Sequence, residues 1–124
     1  MSINEKPVSL KLNKEFKRAY YRGKNKACPY FVCYLVKNRK EGLRYGITAS
    51  KKLGNAVMRN RARRVLRTAF FSIYEQFPGN YDLVIVAREK VLRLKSHEAA
   101  AMMQSCLEEL MHSSAPKKSA DEKK

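Results

Sequence analysis

Between Arg44 and Glu75 the chain contains no Asp or Glu, and within that interval its hydrophobic period changes. Leu43, Tyr45, Ile47 and Ala49 alternate with Arg44, Gly46, Thr48 and Ser50, the period of a strand. From Ala56 to Phe77 the spacing turns helical. Met58, Ala62, Val65, Leu66, Ala69 and Ile73 fall within one stripe, and Arg59, Arg63 and Arg67 stand four apart on the next, with Asn60 and Arg64 beside them. No carboxylate is available along this helix to pair with the arginines at i,i+4 spacing. The fold must therefore bury one side of the helix in a core and leave the cationic side facing outward.

The remaining segments supply that core. Tyr30–Lys37, reading YFVCYLVK after Pro29, is rich in β-branched and aromatic residues and is expected to be a strand. Asn38–Gly42 is a polar turn, so the strand over Leu43–Ser50 is expected to pair with it as a hairpin. Tyr81–Arg88 contains the unbroken apolar run Leu83–Ala87, which suits a strand buried on both faces. A helix over Lys14–Arg22, capped by Asn13 and ended by Gly23 and Asn25, places Phe16, Ala19 and Tyr20 on one face. Pro78 and Gly79 stop the central helix, and Glu89–Lys95 is a basic connector. Ser96 caps a last helix to about His112, with Ala99, Ala100, Met103, Leu107, Leu110 and Met111 on its apolar side. The pattern leaves room for a short extra strand before Tyr30. Met1–Pro7 reads as a mobile lead and 113–124 as a disordered basic tail, which leaves one domain over 1–112. The fold class is α+β, a small sheet layered with helices.

Charge narrows the partners. Twenty-seven Lys and Arg against eleven Asp and Glu give a formal net charge of +16 over 124 residues. A compact domain with that charge repels itself unless a polyanion neutralises it. Nucleic acid fits best, because each phosphate contact also releases condensed counterions. An anionic membrane surface is second, and a surface charged only for solubility is third, since such surfaces mix both signs. No apolar stretch approaches the roughly 20 residues of a membrane span, and the N-terminal residues form no signal peptide, so a cytoplasmic location is expected. Cys28, Cys33 and Cys106 lack metal-ligand spacing and are read as reduced thiols, with neither zinc nor a disulfide.

The chemistry concentrates in Lys51–Arg67, KKLGNAVMRNRARRVLR, where seven of seventeen residues are cationic: Lys51, Lys52, Arg59, Arg61, Arg63, Arg64 and Arg67. Guanidinium groups grip phosphate oxygens two at a time. At 1.5 Å per residue, arginines four apart rise about 6 Å per step, comparable to phosphate spacing. Asn55 and Asn60 add uncharged donors and acceptors, and the residues before the helix offer free N–H groups. No carboxylate cluster suits a hydrolytic metal, and neither His97, His112 nor the pair Glu75 and Asp82 forms a convincing acid–base site.

The ordered string RYGITASKKLGNAVMRNRARRVLR, Arg44–Arg67, with Arg59-Asn60-Arg61 at its centre, closely resembles the signature of the bacterial ribonuclease P protein component. The resemblance runs from about Leu12 to Met111. It implies a four-stranded sheet packed with helices, similar to one domain of a small-subunit ribosomal protein, with a left-handed βαβ crossover. It implies that the basic segment, Lys51, Lys52, Asn55, Arg59, Asn60, Arg61, Arg63, Arg64 and Arg67, binds a large catalytic RNA. It further implies that Phe16, Lys17, Tyr20 and Tyr34 meet the 5′ leader of precursor tRNA, and that the RNA subunit with bound Mg²⁺ cuts the phosphodiester bond. On this reading the protein has no catalytic residue, metal site, organic cofactor or obligate protein partner. Flat rings stack on unpaired bases without demanding a sequence, with Lys17 and Arg18 able to hold the backbone. Phe16 could equally pin the helix to the core. Two competing readings are a ribosomal or ribosome-assembly protein, and a self-sufficient nuclease. The long string disfavours the first, and the lack of a catalytic cluster disfavours the second.

Overall fold

The computed structural model describes residues 7–39 and 42–112. The expected lead up to residue 6, the middle of the turn at 40–41 and the tail from residue 113 lie outside them. The elements run β1 (Val8–Ser9), α1 (Asn13–Arg22), β2 (Lys24–Ala27), β3 (Phe31–Lys37), β4 (Leu43–Thr48), α2 (Ala56–Ile73), β5 (Tyr81–Ala87) and α3 (Ser96–His112). Short 3₁₀ turns at Lys51–Leu53, Tyr74–Gln76 and Glu89–Arg93 lead into or out of the longer elements. The expected α+β class holds, with β2 as the extra strand before Tyr30 and the two-residue β1 as a fifth. Pro7, assigned to a mobile lead from sequence, is buried.

The sheet order β1-β4-β5-β3-β2 corrects the expected hairpin. Strand β5 lies between β3 and β4, antiparallel to the first (Phe31 opposite Ala87, Lys37 opposite Tyr81) and parallel to the second (Leu43 opposite Tyr81, Thr48 opposite Val86). Burial decides this. Leu83, Val84 and Ile85 are all fully buried, and a strand apolar on both faces gains most at the centre. The edges fall to two short strands, β1 and the lysine-bearing KNKA of β2, which blunt strand-to-strand aggregation. β4, α2 and β5 form the parallel βαβ unit.

Alternation along β3 and β5 divides the interior in two. Phe31, Cys33, Leu35, Leu83, Ile85 and Ala87 meet α2 and α3 through residues such as Leu66, Phe70, Met103 and Leu107. Tyr34, Val36, Val84 and Val86 meet Leu10, Phe16 and Ala19. Because successive strand residues point to opposite faces, α1 covers one face of the sheet while α2 and α3 cover the other.

Both flanking helices start differently from expectation. Asn13 and Ser96 are the first helical residues and do not cap. In each case a Glu one turn in reaches back to the preceding backbone: Glu15 accepts from Leu12 N (3.1 Å) and Glu98 from Lys95 N (2.9 Å). A carboxylate there also meets the positive end of the helix.

Candidate RNA-binding surfaces

The basic helix is set by a tight entry. Ser50 Oγ accepts from Lys52 N, Gly54 takes φ +142°, and Asn55 Oδ1 accepts from Met58 N at 3.0 Å. The positive φ at Gly54 is a conformation that side-chain-bearing residues avoid. The Met58 sulfur lies 2.4 Å from where a Gly54 Cβ would stand, so Met58 packs over the glycine, 44% exposed, and does not join the core stripe. Ala62, Leu66, Ala69, Phe70 and Ile73 are buried, so the core stripe starts at Ala62, one turn after Met58, and also takes in Phe70. Arg61, Arg64 and Arg67 are exposed, and Arg59 and Arg63 are half-buried at the margin of the apolar face. Asn60 Oδ1 accepts from Arg63 Nη1 at 2.9 Å, which braces that guanidinium. Arg59 Nε is buried and has no hydrogen-bond partner. Leaving such a donor unpaired costs on the order of 1–3 kcal/mol. The carbonyl oxygen of the Asn55 side chain already accepts the cap hydrogen bond, which leaves its amide N–H groups free to donate to a ligand.

The aromatic residues gather on the other face of the sheet. A groove of about 310 Å³ is lined by Asn13, Phe16, Lys17, Tyr20 and Thr48. Tyr20 is 39% exposed, and its ring meets Tyr34 edge to face at 5.0 Å and 76°. Tyr34 does not line the groove; it is half-buried and buttresses Tyr20, and burial pushes its hydroxyl pKa up. The Phe16 ring lies against Gly46, where an added Cβ would stand 2.5 Å from it. Phe16 is thus both a groove wall and a packing residue. Arg18 turns away from the groove. It donates to Lys37 O at 2.5 Å and stands 3.7 Å from Asp82, so it ties α1 to the sheet.

That tie belongs to a network invisible to periodicity. Asp82 is fully buried and accepts from Arg44 Nε (2.8 Å), Arg44 Nη2 (3.0 Å) and Asn38 Nδ2 (2.8 Å). Arg44 Nη1 also reaches Glu15 at 2.9 Å, so one guanidinium links β4, β5 and α1. These carboxylates are engaged by arginine. Among the described residues no group of three or more His, Cys, Asp or Glu side chains comes together to hold a metal.

Lys52 does not extend the arginine stripe. It borders a separate hollow of about 620 Å³ with Ser50, Pro29, Arg88 and Lys90, beyond the carboxyl ends of β4 and β5. Sequence pattern marks Arg88 and Lys90 only as strand end and connector. The available signal was that parallel strands bring their following loops together. Lys51 is exposed in the same 3₁₀ turn. All three cysteines are free thiols; Cys33 and Cys106 are buried, and burial raises the pKa of each.

The ribonuclease P family model matches residues 5–111. The ribonuclease P protein component of Pelotomaculum thermopropionicum is 43% identical over 89 residues, covering 72% of this chain and 80% of that protein. The Clostridioides difficile protein of the same name is 41% identical over 80 residues, covering 64% and 70%. The Staphylococcus aureus RNase P protein structure superimposes with a TM-score of 0.71 at 31% identity, covering 83% of this chain and 94% of that one.

Proposed function

This chain belongs to the ribonuclease P protein family, and we propose that it holds two RNAs at once, on opposite faces of its sheet. The catalytic RNA of ribonuclease P lies along the acid-free face of α2, and the single-stranded 5′ leader of precursor tRNA lies in the groove beside α1. The observation that carries this reading is the separation of the two surfaces by the sheet. One surface is cationic and offers guanidinium forks, which suits a structured backbone. The other offers a ring and one lysine, which suits unpaired bases.

Each residue then has a physical task. Arg59, Arg61, Arg63, Arg64 and Arg67 neutralise phosphates, and a phosphate oxygen at the Nε edge of Arg59 satisfies its buried donor. Asn60 holds Arg63 in position, and Asn55 shapes the entry of α2 and offers its amide N–H groups. Lys51 and Lys52 carry positive charge from α2 toward Arg88 and Lys90. Tyr20 stacks on a leader base, Phe16 walls the groove, Lys17 meets the leader backbone, and Tyr34 keeps Tyr20 upright. Asp82 and Glu15 are committed to Arg44, and we assign bond cleavage and its Mg²⁺ to the RNA partner. The protein raises affinity for a substrate that carries a leader.

The test is salt dependence. Replacing Arg59, Arg63 and Arg67 by Ala should weaken binding to the catalytic RNA and reduce the slope of log affinity against log salt. The expected loss is about 0.7–0.9 for each phosphate contact removed. Unchanged affinity and slope in a folded triple variant would remove α2 from the interface.

A further inference from the structure

Beyond the arginines, α2 carries an aromatic residue that the family signature does not include. Phe71 is 36% exposed, on a helix whose other large aromatic, Phe70, is fully buried. It lies four residues after Arg67 and seven after Arg64, so all three share one ridge of the helix. Its ring is held on several sides. Tyr45 stands at 5.5 Å and 82°, Phe70 at 6.1 Å and 78°, and Tyr74 at 5.8 Å and 65°. None of these rings is parallel to Phe71, so none stacks on it face to face. A single exposed apolar side chain is ordinary on a protein surface. An exposed ring braced by three others, preceded on its ridge by two guanidinium groups with no ion-pair partner among the described residues and followed one turn on by the exposed Glu75, is a different object, because its position is fixed and the cations lie on one side of it.

We propose that Phe71 is a stacking platform for an unpaired base of the catalytic RNA, placed where the phosphates on that base's strand meet Arg64 and Arg67. The partner follows from charge. Arg64 and Arg67 are both exposed, and α2 has no acidic residue, so a second protein surface would need to bring many carboxylates of its own. A nucleotide offers both chemistries together, an anionic backbone for the arginines and a flat face for the ring. The bracing by Tyr45 and Tyr74 keeps the ring from collapsing onto the helix, so little side-chain freedom is lost on stacking. The inference rests on α2 facing the catalytic RNA, and its test separates the two claims.

The experiment measures binding of the full-length protein to the catalytic RNA over a salt series, for Phe71→Ala, Phe71→Leu and Phe71→Trp beside the arginine variants. Stacking predicts a loss of about 5- to 150-fold for Phe71→Ala. The salt slope should stay unchanged, because the ring contacts no counterion. Phe71→Leu preserves apolar packing against Tyr45 and Tyr74 but lacks a π face, so it should bind as weakly as Phe71→Ala. Phe71→Trp should bind as tightly as the parent. Parental affinity for Phe71→Leu or Phe71→Ala overturns the proposal while leaving the arginine interface intact. Concentration-dependent self-association of the parent that Phe71→Ala abolishes, with RNA affinity unchanged, overturns it in favour of a protein interface. If the arginine variants also bind normally, the assignment of α2 itself has failed.

Discussion

Removing the Asp82 carboxylate should loosen α1 on the sheet and blunt the leader groove without touching the arginine face. Asp82 is fully buried and accepts three hydrogen bonds at 2.8–3.0 Å, two of them from Arg44. Asp82→Ala takes the buried carboxylate from a mostly buried guanidinium, which keeps its contact with Glu15, and removes one acceptor from Asn38. Breaking one partner of a buried pair costs about 3–5 kcal/mol. The 3.7 Å contact with the part-exposed Arg18 adds little to that figure. For a cooperative unit of about 100 residues the unfolding entropy is about 0.2 kcal/mol/K, so the melting temperature should fall by about 15–25 °C. Asp82→Asn keeps an acceptor and the shape, so it should cost less. The paired replacement Arg44→Met with Asp82→Leu should recover part of the loss, because the guanidinium and the buried carboxylate are both gone while Glu15 loses its arginine partner. Thermal unfolding by circular dichroism gives the stabilities. Holoenzyme binding of precursor and mature tRNA, below the lowered melting temperature, gives the function. Asp82→Asn should weaken precursor binding more than mature, with affinity for the catalytic RNA preserved. A melting temperature for Asp82→Ala within about 3 °C of the parent would refute the network as a structural clamp. Loss of cleavage in Asp82→Asn at saturating RNA and substrate would show that the carboxylate does chemistry.

Tyr20→Ala should weaken precursor tRNA binding by about 5- to 150-fold and leave mature tRNA unaffected; equal losses for both in a holoenzyme titration would make the ring structural. Gly46→Ala should push the Phe16 ring into the groove at a cost of about 1–3 kcal/mol in stability. Discrimination between long and short leaders should drop with it, and normal discrimination would show that Phe16 does not wall the site. The thiols should divide by burial: at pH 8 a thiol reagent should modify Cys28 in the folded protein and reach Cys33 and Cys106 only on unfolding. Burial raises Cys106 from 9.0 to about 11, so the stability gained by keeping it protonated is present below pH 9 and is lost as pH rises through 11. Cys106→Ala should flatten that part of the stability curve.

Sequence periodicity disclosed what depends on near neighbours. The strands at Phe31–Lys37, Leu43–Thr48 and Tyr81–Ala87, the three helices and the arginine stripe of α2 were all legible, because side-chain direction repeats locally in helix and strand. The acid-free interval and the resemblance to the family signature together point to RNA from sequence alone. The helix starts were misassigned by sequence reading, since Asn13 and Ser96 resemble caps while the carboxylates that do the work, Glu15 and Glu98, sit one turn further in. Strand order was beyond local reading: β3 and β4 are chain neighbours across a polar turn, yet β5 lies between them because its doubly apolar run must sit at the centre of the sheet. Only the tertiary structure brought Asp82 to Arg44 and Phe16 onto Gly46, and only it separated Lys52 from the arginines it neighbours in sequence. Those contacts join residues far apart along the chain or redirect a side chain at a turn, and what selects them is the burial of charge and volume across packed layers, which no local period encodes.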